Sequence, residues 1–146
     1  MKSLRSFGDK LKKDVKEKLL DELKKKYRLF IGSNGLAKVQ EGRFKIVNLE
    51  PHFEDVFISQ KIGFNKPAKE FFEGCFERIS MFDKDKCIMV GDSLSADIKG
   101  AINAGIKSCW FNPKNQPNLM GIKPDYEIKE LMELPKLLEE IFGEEE

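Results

Sequence analysis

The sequence predicts an α/β fold in which a parallel sheet is covered by helices on both faces. Short apolar runs, typical of strands buried on both sides, alternate along the chain with segments of helical apolar spacing. The clearest run, Ile88-Met89-Val90, ends at Gly91-Asp92, and other polar turns follow or flank strands. Because open α/β sheets bind ligands at the carboxyl ends of their strands, these turns are the expected functional region.

The first segment, residues 1–26, is predicted to be a basic amphipathic helix that leads into the domain. Apolar residues recur at helical spacing from Leu4 to Leu23, and Ser6 with Asp9 is typical of a helix cap. Residues 1–28 carry eleven Lys or Arg against five acids. We interpret this charge as a solvated helix face, with a polyanion-binding arm as the alternative.

The remaining elements follow from apolar periodicity and from the turn residues between the runs. Strands are predicted for 27–31, 53–59, 87–91 and 107–111, and helices for 37–47, 67–79, 95–104 and 131–142. Pro67 suits the first turn of its helix, and Gly105 suits the end of another. The 146 residues are therefore predicted to form one Rossmann-like domain, 1–146, without internal repeats.

Composition excludes several classes of function. Hydrophobic residues make up 40% and charged residues 35%, and the net charge of +1 gives no general attraction to nucleic acid. No apolar run is long enough to span a membrane, and no signal peptide is recognisable. Cys75, Cys87 and Cys109 are odd in number and lack CxxC spacing, which predicts free thiols in a reducing cytoplasm.

Three polar loops together suit phosphate chemistry. The Ser33 hydroxyl and the amides of Asn34 and Gly35 can hold a phosphate oxygen, and Lys66 supplies a positive charge beside a predicted helix start. Asp92 and Asp97 are predicted ligands of a hard cation such as Mg²⁺, Asp92 directly and Asp97 through water. Such a set can neutralise a phosphoryl group during transfer.

The chain resembles the haloacid-dehalogenase-like (HAD) hydrolases, and within them the pyrimidine-nucleotidase-like phosphatases. The resemblance runs in register over about residues 27–141. It is carried by Phe30-Ile31-Gly32-Ser33-Asn34-Gly35, by Gly63-Phe64-Asn65-Lys66-Pro67 and by Val90-Gly91-Asp92-Ser93-Leu94-Ser95-Ala96-Asp97. It implies that Ser33 binds phosphate, that Lys66 stabilises a phospho-aspartyl intermediate, and that Asp92 and Asp97 organise Mg²⁺.

The family's first motif, an Asp-x-Asp that ends an N-terminal strand and contains the nucleophile, is not recognisable. The only Asp-x-Asp is Asp83-Lys84-Asp85, which precedes a predicted strand and so belongs to the amino edge of the sheet. We therefore expect a truncated core that lacks both the central strand and the helical cap of the family. Loss of a nucleophile commonly costs about a million-fold in rate.

These observations leave two functional hypotheses. The first is a Mg²⁺-dependent phosphatase core for a small phosphorylated metabolite such as a nucleotide, incomplete alone and completed by an N-terminal segment that carries Asp-x-Asp. The alternative is a non-catalytic interaction or phosphate-binding module that retains the fold. Unpaired sheet edges would favour a partner or a homo-oligomer in either case.

Overall fold

The computed structural model describes residues 2–6, 13–34 and 52–143. The strands are β1 (Lys2–Ser6), β2 (Arg28–Ser33), β3 (Asp55–Ile58), β4 (Cys87–Gly91), β5 (Lys107–Phe111) and β6 (Tyr126–Ile128). The helices are α1 (Lys13–Lys24), α2 (Ser59–Ile62), α3 (Lys69–Glu77), α4 (Lys99–Ala104) and α5 (Leu134–Phe142). The helix predicted over 37–47 and the cap residue Asp9 lie outside the described residues. No helix in the described ranges is both long and apolar enough to cross a bilayer.

The sheet is parallel throughout its described strands, in the order β3-β2-β1-β4-β5-β6. This is the classic order of doubly wound α/β folds, in which the chain extends from the centre first to one side and then to the other. The order reverses between β1 and β4, where Ser6 lies opposite Gly91. Ligands of such folds bind in the crevice at this reversal, outside the carboxyl ends of the strands.

The prediction that the central strand is missing is wrong. Lys2–Ser6 fills the central position, where Leu4 lies opposite Phe30 on one side and Met89 on the other. The predicted helix over 1–26 is accordingly wrong for these five residues and right for α1. β1 contains one apolar residue, so its sequence shows no strand pattern and was included in the predicted helix. Its strand conformation comes from pairing with β2 and β4, which satisfies two strand edges that would otherwise be unpaired.

Helices cover both faces of the sheet, as the sequence predicts. One apolar core joins α1 and α5 to the sheet through Leu19, Leu23 and Leu138, and a second joins α3 and α4 through Phe72 and Ala101. Successive residues of β4 contribute to the two cores alternately: Ile88 and Val90 to the first, Cys87 and Met89 to the second. A strand buried on both faces needs a continuous apolar sequence, which explains why β4 was the clearest strand to predict.

The other predicted bounds agree with the structure, apart from local differences. α3 begins at Lys69 after the N-cap Ala68, so Pro67 precedes the helix and does not stand in its first turn as predicted. β4 and β5 match, and β2 is within two residues. The run predicted as one strand over 53–59 divides into β3 and the short α2, and the last helix begins with a 3₁₀ turn, Leu131–Glu133. β6 was not predicted because three residues are too few to show a strand period.

Ile88 provides a test of the two-faced sheet. Replacement of this fully buried side chain by alanine leaves a cavity beneath the helices, and we expect Ile88→Ala to lower the free energy of unfolding by about 2–5 kcal/mol. Ile102 is 49% exposed on α4, so Ile102→Ala serves as the matched control and should change stability by less than about 0.5 kcal/mol. Urea unfolding followed by circular dichroism measures both, and similar losses would contradict the assigned burial.

Candidate phosphate and metal site

The carboxyl end of β2 supplies the first polar group. Ser33 is the last residue of this strand and is half-buried. Its hydroxyl donates to the backbone carbonyl of Asn34 over 3.2 Å. Asn34 in turn contacts the loop before α3 through its side chain, as described below. Ser33 therefore lies at the ligand-binding edge, as the sequence predicts.

Lys66 lies buried in the loop between α2 and α3, with 5% of its surface exposed. Its ammonium donates to the carbonyl oxygen of Gly32 over 3.0 Å and to Asp97 Oδ1 over 2.6 Å. A buried ammonium is costly unless it is paired and hydrogen-bonded, and both conditions are met here. The lysine thus joins the end of β2 to the segment that follows β4.

Asp97 reaches Lys66 because the chain makes a π-helical turn, Leu94–Ile98, directly after β4. Ser93 caps this turn, since its hydroxyl accepts from the amide of Ala96, and its own amide donates to Asp97 Oδ2 over 3.2 Å. Single π turns inside helices are frequent at functional sites. The sequence predicts an ordinary helix here, although a serine three residues before Ala96 is the kind of signal that marks such a cap.

Burial raises the pKa of Asp97, while the nearby Lys66 ammonium and the amide of Ser93 counter part of that rise. The negative charge of Asp92 raises the pKa of Asp97 further, because the two carboxylates repel each other. Asp97 has both oxygens engaged by protein donors, whereas Asp92 is exposed at the edge of the sheet. The geometry therefore makes Asp92 the carboxylate available for direct contact with a cation.

The residues present fit Mg²⁺ in part. Within the described ranges, no three His, Cys, Asp or Glu side chains form a group that could hold a metal ion. Two carboxylates can still bind Mg²⁺ because this ion keeps several water molecules and often takes only one or two carboxylate ligands. The indole N–H of Trp110 donates to the backbone carbonyl of Asp92 over 3.1 Å and so anchors the loop that carries this carboxylate.

The three loops singled out from the sequence meet at one edge of the sheet. Lys66 contacts Asp97 directly and is linked to Ser33 through the neighbouring Gly32 and Asn34. The parts played by the Gly32 carbonyl and by the Ser93 amide were not predicted, because backbone groups leave no residue-type signal.

Asp83-Lys84-Asp85 lies before β4, at the amino edge of the sheet. Asp83 Oδ1 accepts from the amide of Asp85 over 2.9 Å and caps the 3₁₀ turn Lys84–Lys86. This confirms the prediction that Asp83 is a loop residue remote from the candidate site.

The buried pair of Lys66 and Asp97 can be tested through stability. We expect Asp97→Asn to lower the free energy of unfolding by about 3–5 kcal/mol, because it leaves a buried ammonium without its counter-charge. Asp92→Asn changes an exposed carboxylate five residues earlier and should change stability by less than about 0.5 kcal/mol. Denaturant titrations at neutral pH compare the two, and equal stabilities would mean that the pair is not formed.

Comparison with known proteins identifies the family of the chain. Residues 8–111 match the family described as haloacid dehalogenase-like hydrolases. The chain is 43% identical over 120 residues to the HAD hydrolase YfnB of Bacillus subtilis, covering 82% of this chain and 51% of YfnB. It is 40% identical over 117 residues to the pyrimidine 5′-nucleotidase PynA of Streptococcus pneumoniae, covering 80% and 49% of the two chains.

The rat N-acylneuraminate-9-phosphatase is 33% identical over 142 residues, covering 96% of this chain and 56% of the phosphatase. A crystal structure of magnesium-bound YfnB superposes with a TM-score of 0.82 at 42% identity, covering 86% of this chain and 55% of YfnB. The chain thus spans about half the length of the curated relatives it matches. From the matched family, the sequence identities and the shared fold, the chain belongs to the haloacid dehalogenase-like hydrolases.

Proposed function

We propose that this chain is the phosphate-binding and Mg²⁺-binding core of a phosphomonoesterase that acts on a small phosphorylated metabolite, such as a pyrimidine nucleotide. The observation that carries the proposal is the buried Lys66 ammonium at the ligand-binding edge, beside Ser33 and the Asp92 loop. The relatives support the substrate class, since they include a pyrimidine 5′-nucleotidase and an N-acylneuraminate-9-phosphatase.

Each residue has a distinct part in this proposal. The Ser33 hydroxyl and the backbone amide of Asn34 would donate to phosphate oxygens, and Lys66 would offset their negative charge; Gly35, also predicted to donate, lies outside the described residues. Asp97 keeps Lys66 in place, so that this cation need not reorient when charge develops on the phosphoryl group. Asp92 and Asp97 would hold Mg²⁺, which when bound neutralises further phosphate charge.

The nucleophile is the missing part. β1 occupies the central position beside β4, and its sequence, Lys-Ser-Leu-Arg-Ser, contains no acid. No Asp-x-Asp follows it before β2 in the sequence. We infer that turnover by these residues alone is low, and that a segment carrying Asp-x-Asp would be needed for the covalent route. Cys75, Cys87 and Cys109 are buried and form no disulfide with one another, in keeping with the proposed cytoplasmic location.

The same observation favours a second candidate function. A chain that keeps the charged site but has no acid in its central strand can bind phosphorylated ligands without hydrolysing them. This phosphate-binding module would use Ser33 and Lys66 in the same way and would release no phosphate.

Phosphate release distinguishes the two. The purified chain is incubated with Mg²⁺ and with p-nitrophenyl phosphate or a panel of nucleotides, alone and with an added N-terminal segment that carries Asp-x-Asp. We expect low release alone and Mg²⁺-dependent release from the reconstituted complex, with loss in Asp92→Asn. Asp85→Asn, at the amino edge of the sheet, is the control and should retain the release.

A folded, reconstituted complex without activity would contradict the phosphatase proposal. Tight binding of the nucleotides without hydrolysis would then favour the phosphate-binding module.

Mg²⁺ binding has a direct optical readout. Trp110 is the only tryptophan of the chain and is hydrogen-bonded to the backbone of Asp92, so cation binding there should change its fluorescence. Burial raises the pKa of Asp97, so on acidification this carboxyl should become protonated at a higher pH than an ordinary aspartate. Its protonation should weaken Mg²⁺ binding. Mg²⁺ titrations at several pH values test this, and a response that persists in Asp92→Asn would place the cation elsewhere.

A further inference from the structure

Asn34 makes two hydrogen bonds to the backbone of Lys66, although the two residues are 32 positions apart. The Lys66 amide donates to Asn34 Oδ1 over 2.8 Å, and Asn34 Nδ2 donates to the Lys66 carbonyl over 3.1 Å. The side chain of Asn34 thus pairs with Lys66 much as a neighbouring strand would. A carboxamide suits this place because it offers one acceptor and one donor group, whereas a carboxylate offers acceptors alone.

These bonds hold the lysine at its base, while other groups hold its tip. The ammonium of Lys66 is fixed by the carbonyl of Gly32 and by Asp97, so both ends of the residue are tied to the edge of the sheet. A loop residue held in this way loses little freedom when a ligand binds, and preorganisation of this kind increases affinity. The contribution of Asn34 is the anchoring of the lysine backbone.

We propose that Asn34 is a positioning residue that sets Lys66 at a fixed distance from Ser33. Ser33 precedes Asn34 in the chain, so the hydrogen bonds of Asn34 couple the two groups that would contact the same phosphate. This inference rests on the proposed function and deepens it. It is compatible with the earlier prediction for Asn34, which concerns the backbone amide, because only the side chain of Asn34 contacts Lys66 here.

The test compares Asn34→Ala, which removes both hydrogen bonds, with Asn34→Asp, which keeps the acceptor for the Lys66 amide. Asn103→Ala is the matched control, because Asn103 Nδ2 donates over 3.0 Å to the carbonyl of Pro67, the next residue of the same loop. Asn103 lies on α4, and its hydrogen bond reaches Pro67 rather than the backbone of Lys66. Circular dichroism and unfolding midpoints confirm that each variant is folded.

The first readout is the rate at which a small acylating reagent modifies the Lys66 amine, followed residue by residue with mass spectrometry. It requires no phosphate ligand. We expect slow modification in the wild type and in Asn103→Ala, and at least about threefold faster modification in Asn34→Ala, with Asn34→Asp between them. Asn34→Asp keeps the Asn34 proposal testable if the alanine variant does not fold. An unchanged rate in both Asn34 variants would overturn the proposed positioning role.

The second readout is the affinity for inorganic phosphate in the presence of Mg²⁺, measured by calorimetry. Loss of two hydrogen bonds that preorganise the lysine should weaken phosphate binding about tenfold in Asn34→Ala and less than about twofold in Asn103→Ala. Equal weakening in both would indicate a general loop effect and reject the specific role of Asn34. If the wild type binds no phosphate, the proposed function fails. The modification rate of Lys66 still tests the positioning role of Asn34 in that case.

Discussion

The buried ion pair between Lys66 and Asp97 is the interaction on which the candidate site depends. The two side chains come from segments on opposite sides of the central strand, the loop before α3 and the turn after β4, and they meet at 2.6 Å with almost no exposure to solvent. Neither charge would be tolerated there alone, since desolvation of a single ion costs several kcal/mol. The hydrogen bonds from Ser93 to the carboxylate and from Lys66 to Gly32 complete the pairing. The pair therefore fixes the relative positions of the three polar loops.

The topology of the sheet places that pair where a ligand can use it. β1 lies between β2 and β4, and the reversal of strand order beside it opens the crevice at the carboxyl edge. The site therefore combines a fixed cation with an exposed carboxylate, which is an arrangement suited to a phosphorylated ligand. The central strand bordering it carries no acid, which is why binding and hydrolysis have to be tested separately.

The sequence predicted the elements that are apolar and the site residues that are chemically distinctive. β4 and β5 were predicted residue for residue. β4 is the continuous apolar run that a buried parallel strand needs, and β5 ends in a shorter one, Cys109-Trp110-Phe111. Lys66, Asp92 and Asp97 were selected as candidate site residues because they stand in or just after loops that border the predicted strands and helices. β1 was missed because its position comes from pairing with two distant strands, and its own five residues contain a single leucine. The two hydrogen bonds of Asn34 and the π-helical turn were missed for a related reason: both depend on backbone groups brought together by the fold.

A double-mutant cycle on Lys66 and Asp97 tests the central claim most directly. The unfolding free energies of the wild type, Lys66→Met, Asp97→Asn and the double variant are measured under identical conditions. If the two charges stabilise each other in the buried site, the double variant should lose about 1–3 kcal/mol less than the sum of the single losses. Losses that simply add would show that the two side chains act independently, and would contradict a site built around their pairing.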